Sequence, residues 1–403
     1  MTLSTPASPA GSILVVNGGS STLKFALFQT GAPPAQELSG SIDRIGMPNG
    51  TITWVRENTA AVERRTITAS DHVACLEPLL DCIKDHLAQH PLVAIGHRVV
   101  HGGRYRDPQR VTPVVMEELQ RLCGYDPEHL PAEIGLIHEF AQRYPHLPQV
   151  ACFDTAFHRD MPRVARLLPI PRRYEQLGLQ RYGFHGLSYA FLMRELERVG
   201  TPHEVKGRIV LAHLGNGASM AAVRNGKAVD TTMSFTPTSG LPMSRRSGDL
   251  DPGLVAYLAR AEGMSADQFH TMVNTESGLL GISETSSDMR DLLAQESNDP
   301  RAAEAIALFC YQAKKWIGAL TAALGGLDAL VFTAGIGERS PVIRARICDG
   351  LEFLGVALDH ARNEAGEPVI SKDNGRVTVR VMRTDEESEI ARSVSERLGE
   401  PKG

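Results

Sequence analysis

The sequence predicts an α/β protein built from two domains, and three observations support this fold class. Short apolar runs that are typical of buried strands alternate with stretches of helical periodicity along the chain. The length of 403 residues is more than one hydrophobic core usually holds. A strand, a glycine-rich turn and a second strand occur near residue 13 and again near residue 208, which indicates two similar halves.

The composition is that of a globular protein, with 42% hydrophobic and 22% charged residues. A net charge of −5 gives no general reason to bind nucleic acid or an anionic membrane, so an anionic ligand needs local positive groups. Six cysteines without a C-x-x-C pair favour a reducing compartment, the cytoplasm. No apolar stretch approaches the ~18 residues of a membrane span. Residues 1–11 lack the features of a signal peptide and are predicted to form a loose tail.

The individual elements follow from periodicity and from turn residues. The first half is predicted to contain strands at 13–16, 23–28, 92–100 and 149–153, a hairpin within 51–68, and helices within 71–87 and 116–144. The second half is predicted to contain strands at 208–214, 218–223, 327–332 and 377–382, and helices at 302–324, around 341–351 and at 386–398.

Three glycine-rich turns at strand ends are candidate phosphate-binding segments. The first, N-G-G-S-S-T-L-K at 17–24, exposes backbone N–H groups, and Lys24 adds a cation while Asn17 adds a neutral oxygen for a metal or water. The turns H-L-G-N-G at 213–217 and G-I-G-E at 335–338 have the same character. Each alone also fits an ordinary tight turn. Three together favour a nucleotide site.

Two charged residues are associated with strands that are otherwise fit for burial, Arg98 inside one strand and Asp154 at the end of another. Arg98 lies in G-H-R-V-V-H-G-G, where a buried guanidinium needs either an anionic ligand or an internal salt bridge, and both alternatives remain open. Asp154 follows the strand at 149–153, where it would bind magnesium or cap a helix.

Three further segments carry polar groups that suit phosphoryl transfer. His185 lies between glycines in Y-G-F-H-G, and it would donate a hydrogen bond to a phosphoryl group or simply pack in its loop. The cluster R-R-S-G-D at 245–249 sits in a loop constrained by prolines. The acidic run at 385–387 precedes the last helix, where it would compensate the helix dipole or bind magnesium.

Ten segments, in order, give the chain its resemblance to a known family. They are VVNGGSSTLKF, GHRVVHGG, FDTAFH, RYGFHG, HLGNG, RSGDLDP, SGLLGIS, SSDMRDL, FTAGIGE and TDEESEIA. From Ile13 to about Leu398 the sequence resembles the acetate kinase family, within the superfamily of acetate and sugar kinases, chaperone ATPases and actin.

The resemblance implies an α/β fold of two domains that share a duplicated ribonuclease-H-like, actin-like ATPase core with an interdomain cleft. The N-terminal ATPase-like domain would cover residues 1–153 and be completed by the C-terminal helix 386–403. The nucleotide-binding domain would cover 154–385. A cytoplasmic homodimer is expected, with no nucleic acid or membrane partner.

The implied activity is reversible, direct in-line transfer of the ATP γ-phosphoryl group to acetate, which gives acetyl phosphate and ADP and supplies acetyl-CoA biosynthesis. Mg²⁺ is the expected cofactor, with Mn²⁺ as a substitute. A propionate or other short-chain acyl kinase is the nearest alternative, although Val100 favours acetate. A non-catalytic nucleotide sensor on the same fold is a second alternative.

The resemblance also assigns roles to individual residues. It gives catalytic roles to Asp154, His185 and Arg246, the substrate carboxylate to Arg98, and the acyl pocket to Val100, Leu130, Phe184 and Pro237. The nucleotide would contact Ser20, Thr22, Lys24, His213, Leu214, Gly215, Asn216, Gly217, Asp288, Met289, Arg290, Gly335, Ile336, Gly337, Glu338 and Arg339. Magnesium would be bound through Asn17 and Glu386.

The chain departs from the usual family pattern at several of these positions. Arg245 adds a cation beside Arg246, and Arg339 stands where asparagine is usual, as does Asp385. The segment E-H-L-P-A-E at 128–133 replaces the usual A-P-L-H-N-P beside the acyl pocket.

Overall fold

The computed structural model describes residues 11–19, 21–57, 59 and 61–399, and these divide into two compact units. The first unit runs to Ala156 and resumes at Asp385, and the second is Phe157–Thr384. Asp154 and Asp385, which the sequence assigned to the second domain, therefore belong to the first unit. The backbone N–H of Asp154 donates to Val99 O at 3.1 Å, which continues the sheet of the first unit.

The first unit is built on an eight-stranded sheet of order β5-β4-β3-β2-β1-β6-β8-β7. Its strands are β1 (Ser12–Gly18), β2 (Thr22–Gln29), β3 (Ala35–Asp43), β4 (Gly50–Arg56), β5 (Val62–Ile67), β6 (Leu92–Val99), β7 (Gln109–Arg110) and β8 (Gln149–Phe153). Strands β1 to β5 form an antiparallel meander, whereas β6 pairs with β1 in parallel and β8 pairs with β6 in parallel. The helices of this unit are α1 (Leu76–Leu87), α2 (Pro113–Leu122), α3 (Leu130–Arg143) and α16 (Glu386–Gly399).

The centre of this sheet is buried on both faces, which explains its continuous apolar sequence. Every residue of β1 and β8 is buried. On one face, α16 packs closely because β6 carries a glycine: a Cβ at Gly96 would lie 2.5 Å from Cγ2 of Ile390 and 2.8 Å from Cγ2 of Val394. The C-terminal helix is thereby held against the strands that end at the candidate site.

The second unit repeats the same sheet plan with five strands in the order β11-β10-β9-β12-β13. They are β9 (Arg208–Leu214), β10 (Ala218–Arg224), β11 (Lys227–Thr231), β12 (Ala329–Thr333) and β13 (Thr378–Val381). Strands β9, β10 and β11 are antiparallel, and β12 and β13 add in parallel. The central order β3-β2-β1-β6-β8 of the first unit is therefore reproduced, which identifies a duplicated core.

The helices of the second unit surround this sheet. They are α4 (Arg163–Arg166), α5 (Arg173–Gln176), α6 (Gly186–Val199), α7 (Pro202–Lys206), α8 (Gly253–Glu262), α9 (Ala266–Thr271), α10 (Gly278–Ser283), α11 (Met289–Gln295), α12 (Pro300–Leu324), α13 (Ala334–Arg339), α14 (Pro341–Cys348) and α15 (His360–Ala365). The long helix α12 begins with Asp299 as N-cap and Pro300 at its first position, and it ends at Gly325 in the left-handed conformation.

The predicted strands and helices coincide with observed elements within a few residues, but some segments differ. Strands β3 and β11 were not predicted because polar and charged residues interrupt their apolar pattern. The helix-rich stretch predicted at 116–144 corresponds to two helices, α2 and α3. Residues 1–10 of the predicted tail lie outside the described residues, while Gly11 is hydrogen-bonded to Thr30. Within the described ranges, no helix combines the length and apolar character that a membrane span requires.

Candidate active site

The first glycine-rich turn connects β1 and β2, and its short hydrogen bonds make it compact. The N–H of Gly19 donates to Thr22 O at 2.7 Å, and a Cβ at Gly19 would lie 2.8 Å from Thr22 Oγ1. Asn17 and Lys24 are cross-strand partners that flank the turn. Ser20 lies outside the described residues.

Arg98 and Asp154 form a bidentate ion pair at the ends of the neighbouring strands β6 and β8. Nε and Nη2 of Arg98 donate to the two carboxylate oxygens of Asp154 at 3.1 and 2.6 Å, and Nη1 donates to Gly18 O at 3.0 Å. Burial opposes the charge of Arg98, but the carboxylates of Asp154 and Glu386 outweigh it and raise the pKa of the guanidinium. The internal salt bridge, one of the two alternatives for Arg98, is therefore present.

A group of oxygen ligands lies where the first turn meets the start of α16. Nδ2 of Asn17 donates to Glu386 Oε2 at 3.1 Å and to Glu387 Oε1 at 2.8 Å, so one amide holds both carboxylates. Burial raises the pKa of Glu387, while Lys24 opposes that rise. Asp385 caps α16, because its carboxylate accepts from the N–H of Ser388 at 2.9 Å and from its hydroxyl at 2.7 Å.

This donor set fits magnesium better than a transition metal. Carboxylate and amide oxygens are the ligands that Mg²⁺ prefers, and Mg²⁺ commonly takes only one or two protein ligands beside water and phosphate oxygens. No cluster of three histidine, cysteine or acidic side chains suited to a metal occurs among the residues that the structure describes. The side-chain oxygens of Asn17 and Glu386, which the sequence assigned to magnesium, have the chemical character that this ion prefers.

The predicted acyl-pocket residues of the first unit, Val100 and Leu130, are both fully buried, and a carboxyl group that the sequence did not single out lies beside them. Glu133, on the first turns of α3, is 4% exposed and accepts from the N–H of Val100 at 2.9 Å. Its other oxygen, Oε1, is buried and has no hydrogen-bond partner among the described residues. Burial raises the pKa of Glu133 to about 8, although Arg98 opposes the rise. The sequence did not indicate the burial of Glu133, because a single glutamate in an amphipathic helix usually faces solvent.

In the second unit, Gly217 lies beside two side chains that the sequence assigned to catalysis. A Cβ at Gly217 would lie 3.1 Å from Nε2 of His185 and 3.8 Å from Nη1 of Arg246. Nη1 of Arg246 also donates to the carbonyl of Pro237 at 3.3 Å. Arg246 is half-buried, whereas its neighbour Arg245 is exposed. Phe184, which precedes His185, is buried and its carbonyl accepts from His158 Nε2 at 2.9 Å.

The second and third glycine-rich segments meet because β9 and β12 are parallel neighbours. The register pairs His213 with Thr333, and a Cβ at Gly215 would lie 3.4 Å from Cβ of Ala334. The turn at 213–217 is closed by a hydrogen bond from Gly215 N to Gly217 O at 3.0 Å. Both segments therefore lie together at the carboxyl ends of β9 and β12.

The third segment is a helix rather than the predicted turn. Residues 334–339 form α13, which Ala334 enters with a φ of 64°. The carboxylate of Glu338 accepts from the N–H groups of Ala334 and Thr384 at 2.8 and 3.2 Å, so it braces the ends of β12 and β13. Gly335 faces open space, and Arg339 is exposed.

Arg344, which the sequence did not single out, supports this segment from behind. It is 1% exposed, and its Nη1 donates to the carbonyls of Gly337 and Glu338 at 2.9 Å each. Its Nε and Nη2 donate to Oδ1 and O of Asn363 at 2.9 and 2.8 Å. The guanidinium thus fixes the backbone of α13 through the carbonyls at its C-terminal end.

The predicted nucleotide residues at 288–290 form a helix cap. Asp288 is the N-cap of α11 and accepts from the N–H of Arg290 at 2.8 Å, while the guanidinium of Arg290 bonds to the same carboxylate. The side chain of Arg290 is 85% exposed, and Met289 is buried. The carboxylate of Asp288 and the guanidinium of Arg290 are thus bonded to each other.

The groups gathered in each unit suit anionic ligands of small size. The first unit offers Arg98, the glycine turn and an all-oxygen metal-ligand set, and the second offers Arg246, His185 and two glycine-rich segments. Guanidinium groups, backbone N–H groups and a magnesium ion are the partners that phosphate and carboxylate groups require. The direct transfer of a phosphoryl group between bound anions does not require the nucleophile–base pair that covalent catalysis uses.

Comparisons with known proteins agree over nearly the whole chain. The model of the Acetokinase family matches residues 12–392. The propionate kinase of Citrobacter rodentium is 43% identical over 392 residues, which cover 95% of this chain and 96% of that protein. The acetate kinase of Rhodopseudomonas palustris is 42% identical over 388 residues, which cover 95% and 97%. The crystal structure of Porphyromonas gingivalis acetate kinase superposes with a TM-score of 0.85 at 35% identity and covers 96% of this chain and 99% of that one.

Proposed function

Because this chain belongs to the acetokinase family, we propose that it transfers the γ-phosphoryl group of ATP to acetate in a reversible, direct in-line reaction that gives acetyl phosphate and ADP. As a family member, the chain is a phosphotransferase with a carboxyl group as acceptor. The observation that carries the proposal is the grouping of His185, Gly217 and Arg246 in one unit, with Arg98 held at a strand end in the other.

The first unit binds the carboxylate acceptor. An acetate ion is already a nucleophile at neutral pH, so the enzyme needs to position it rather than to deprotonate it. Arg98 binds the carboxylate, and Asp154 orients Arg98 through its two oxygens. Val100 and Leu130, both buried, are the residues of this unit proposed to contact the methyl group.

The second unit binds the nucleotide and stabilises the transferring phosphoryl group. The backbone N–H groups of 213–217 and 335–339 hold phosphate oxygens. Thr22 and Lys24 are the phosphate-binding residues proposed for the first unit. His185 and Arg246 donate hydrogen bonds where negative charge redistributes, and such preorganised donors are worth several kcal/mol in the transition state. The segment 288–290 adds a nucleotide contact at the surface.

Magnesium is the proposed cofactor, held by Asn17 and Glu386, with Mn²⁺ as a substitute. A bound Mg²⁺ neutralises charge on the outer phosphate oxygens of ATP. The all-oxygen character of this pair supports that identity. The cytoplasm, where ATP and short-chain carboxylates meet, is the proposed compartment, and acetyl phosphate then feeds acetyl-CoA biosynthesis.

Acetate and propionate are distinguished by the volume beside Val100. The relatives include proteins named for each substrate, and one methylene is worth only about 1–3 kcal/mol of discrimination. The decisive experiment compares kcat/KM for acetate, propionate and butyrate in one preparation. We expect the highest kcat/KM for acetate. A higher kcat/KM for propionate would show that propionate, rather than acetate, is the preferred substrate.

The proposal is separated from a nucleotide sensor by trapping the product. Hydroxylamine converts acetyl phosphate to a hydroxamate, so product should accumulate only when ATP, acetate and magnesium are all present. Tight ATP binding without hydroxamate would instead support a sensor, which has no use for Arg98, His185 and Arg246 together.

We further propose that the enzyme is a homodimer and that α8 contributes to its interface. This helix has the sequence GLVAYLARAE, yet it contains no buried residue, with Leu254 38% and Tyr257 60% exposed. An apolar helix face left in water is typical of an interaction surface. Replacing Tyr257 with aspartate should convert the dimer to a monomer in light scattering, whereas Tyr311→Asp, at another exposed tyrosine, should not.

A further inference from the structure

Two imidazole rings are stacked in the second unit beside the proposed phosphoryl site. The ring centroids of His185 and His213 are 4.1 Å apart with an angle of 17° between their planes, and both residues are buried. Two positive charges at this distance repel by about 4 kcal/mol at the effective dielectric of a protein surface. The cation of Arg246 lies near the same glycine as His185 and adds to that cost. This repulsion disfavours the simultaneous protonation of both rings.

A neutral imidazole has one N–H donor, so its tautomer decides what it offers to a ligand. Nε2 of His185 is the atom that approaches Gly217. If the proton is on Nδ1, Nε2 is a hydrogen-bond acceptor and repels phosphate oxygens. If the proton is on Nε2, the same atom donates. The partner of Nδ1 therefore determines whether His185 supports or opposes phosphoryl transfer.

The Nδ1 atom of His185 is held by a pair of hydroxyl groups. It lies 2.8 Å from Ser219 Oγ, and Ser219 Oγ in turn bonds to the hydroxyl of Tyr189. Ser219 and Tyr189 are fully buried. A phenol is more acidic than an alkyl hydroxyl and is the better donor, which favours donation from Tyr189 to Ser219. The single proton of Ser219 is then directed to Nδ1 of His185.

A second pair of hydroxyl groups holds His213 in the same way. Oγ1 of Thr384 donates to Ser188 Oγ at 2.8 Å, and Ser188 Oγ lies 2.9 Å from Nδ1 of His213. Because Ser188 accepts from Thr384, its own proton is available for Nδ1. The N–H of Thr384 donates to Glu338, which anchors this pair to the segment at 334–339.

We propose that these hydroxyl relays, Tyr189–Ser219 and Thr384–Ser188, are positioning residues that fix His185 and His213 in the tautomer carrying its proton on Nε2. The stacked rings then present two parallel N–H donors. That these donors serve the phosphoryl group rests on the proposed function, whereas the tautomers themselves do not.

The tautomers are measured in the resting protein by ¹⁵N NMR of labelled histidine, which separates a protonated from an unprotonated ring nitrogen. Both rings are expected to show a protonated Nε2 and an unprotonated Nδ1, and Ser219→Ala should populate the other tautomer of His185. A protonated Nδ1 on His185 in the unaltered protein would overturn the inference. This result stands even if the protein has no kinase activity.

The relay is tested kinetically by its non-additivity. Tyr189→Phe should lower kcat by about 5- to 10-fold, the effect of one neutral hydrogen bond, with the KM for ATP nearly unchanged. Adding it to Ser219→Ala should cause no further loss, because the phenol acts only through the serine. The control Tyr182→Phe removes another buried phenol, which donates to Gly178 O at 2.6 Å, and should leave kcat unchanged. Independent, multiplying losses from Tyr189 and Ser219 would refute a relay.

Discussion

Replacing Glu133 with glutamine should remove a pH dependence from the stability of the first unit. Glu133 is buried beside Val100, and burial raises its pKa to about 8 from an ordinary value of 4.5. The folded state thus binds a proton more tightly than the unfolded state does. Its contribution to the free energy of unfolding is greatest below the unfolded pKa and is lost as the pH rises toward 8. Glutamine keeps an oxygen for the N–H of Val100 but does not titrate.

The size of the effect follows from the two pKa values. Each unit of difference is worth about 1.4 kcal/mol, so the linkage relation gives a loss of about 4 kcal/mol between about pH 5 and about pH 9. The loss should be concentrated below about pH 8 and level off above it. Relative to the wild type, Glu133→Gln should therefore gain stability progressively as the pH is raised.

The assay uses urea unfolding followed by tryptophan fluorescence, because the two units need not unfold together. The chain has two tryptophans, of which Trp54 is buried in the first unit, so a Trp316→Phe background reports on that unit alone. The reasoning would be refuted if the free energies of unfolding of the wild type and of Glu133→Gln differed by the same amount at every pH in this range.

Glu204, a buried carboxylate whose pKa is shifted in the opposite direction, provides the control. Burial alone would raise the pKa of Glu204, but hydrogen bonds from Arg380 and Thr201 outweigh it and lower the pKa. Its stabilisation is therefore present above about pH 4.5 and lost as the pH falls through the folded pKa. Glu204→Gln, followed through Trp316, should be less stable than the wild type at neutral pH, and the difference should shrink in acid.

Three other outcomes are expected from the site. Arg246→Ala should lower kcat by at least about 100-fold with little change in ATP binding. As a control, Arg245→Ala, at the exposed neighbouring residue, should retain most of the activity. Equal losses of kcat for the two variants in steady-state assays would contradict this distinction. Arg344→Lys should raise the KM for ATP more than that for acetate, because the backbone of Gly337 loses its guanidinium donor, and an unchanged KM ratio would argue against that role. Chelation by EDTA should abolish turnover and added Mg²⁺ should restore it, and activity that survives exhaustive chelation would exclude the proposed cofactor.

The duplicated sheet could be predicted because its central strands are buried on both faces and leave continuous apolar runs such as those of β1 and β8. Strand β3 lacks such a run, since only two of its residues, Leu38 and Ile42, are buried. The turns at 17–24 and 213–217 could be predicted because tight turns require glycine. The helix α13 was not, because its two glycines gave the same signal as a turn.

The positioning residues of the site could not be predicted from local patterns. Ser188 and Thr384 are 196 residues apart, and Asn17 and Glu386 are 369 residues apart, so only the fold brings them together. Serine and threonine are common, and a hydroxyl in a sequence carries no sign of its partner. Arg344 lies in a helix whose other residues suggest nothing unusual. Its supporting role is recognised only from its hydrogen bonds to the carbonyl groups of Gly337 and Glu338.

The ion pair between Arg98 and Asp154 bears on the two alternatives that the sequence left open, an internal salt bridge or an anion-binding arginine. A guanidinium has five N–H donors, and three of those of Arg98 go to Asp154 and Gly18. Two donors, one on each Nη atom, remain for a carboxylate or phosphate oxygen. The salt bridge therefore need not compete with the substrate. In the proposed reaction, the salt bridge would fix the plane of the guanidinium before the substrate arrives, so less side-chain entropy would be lost on binding.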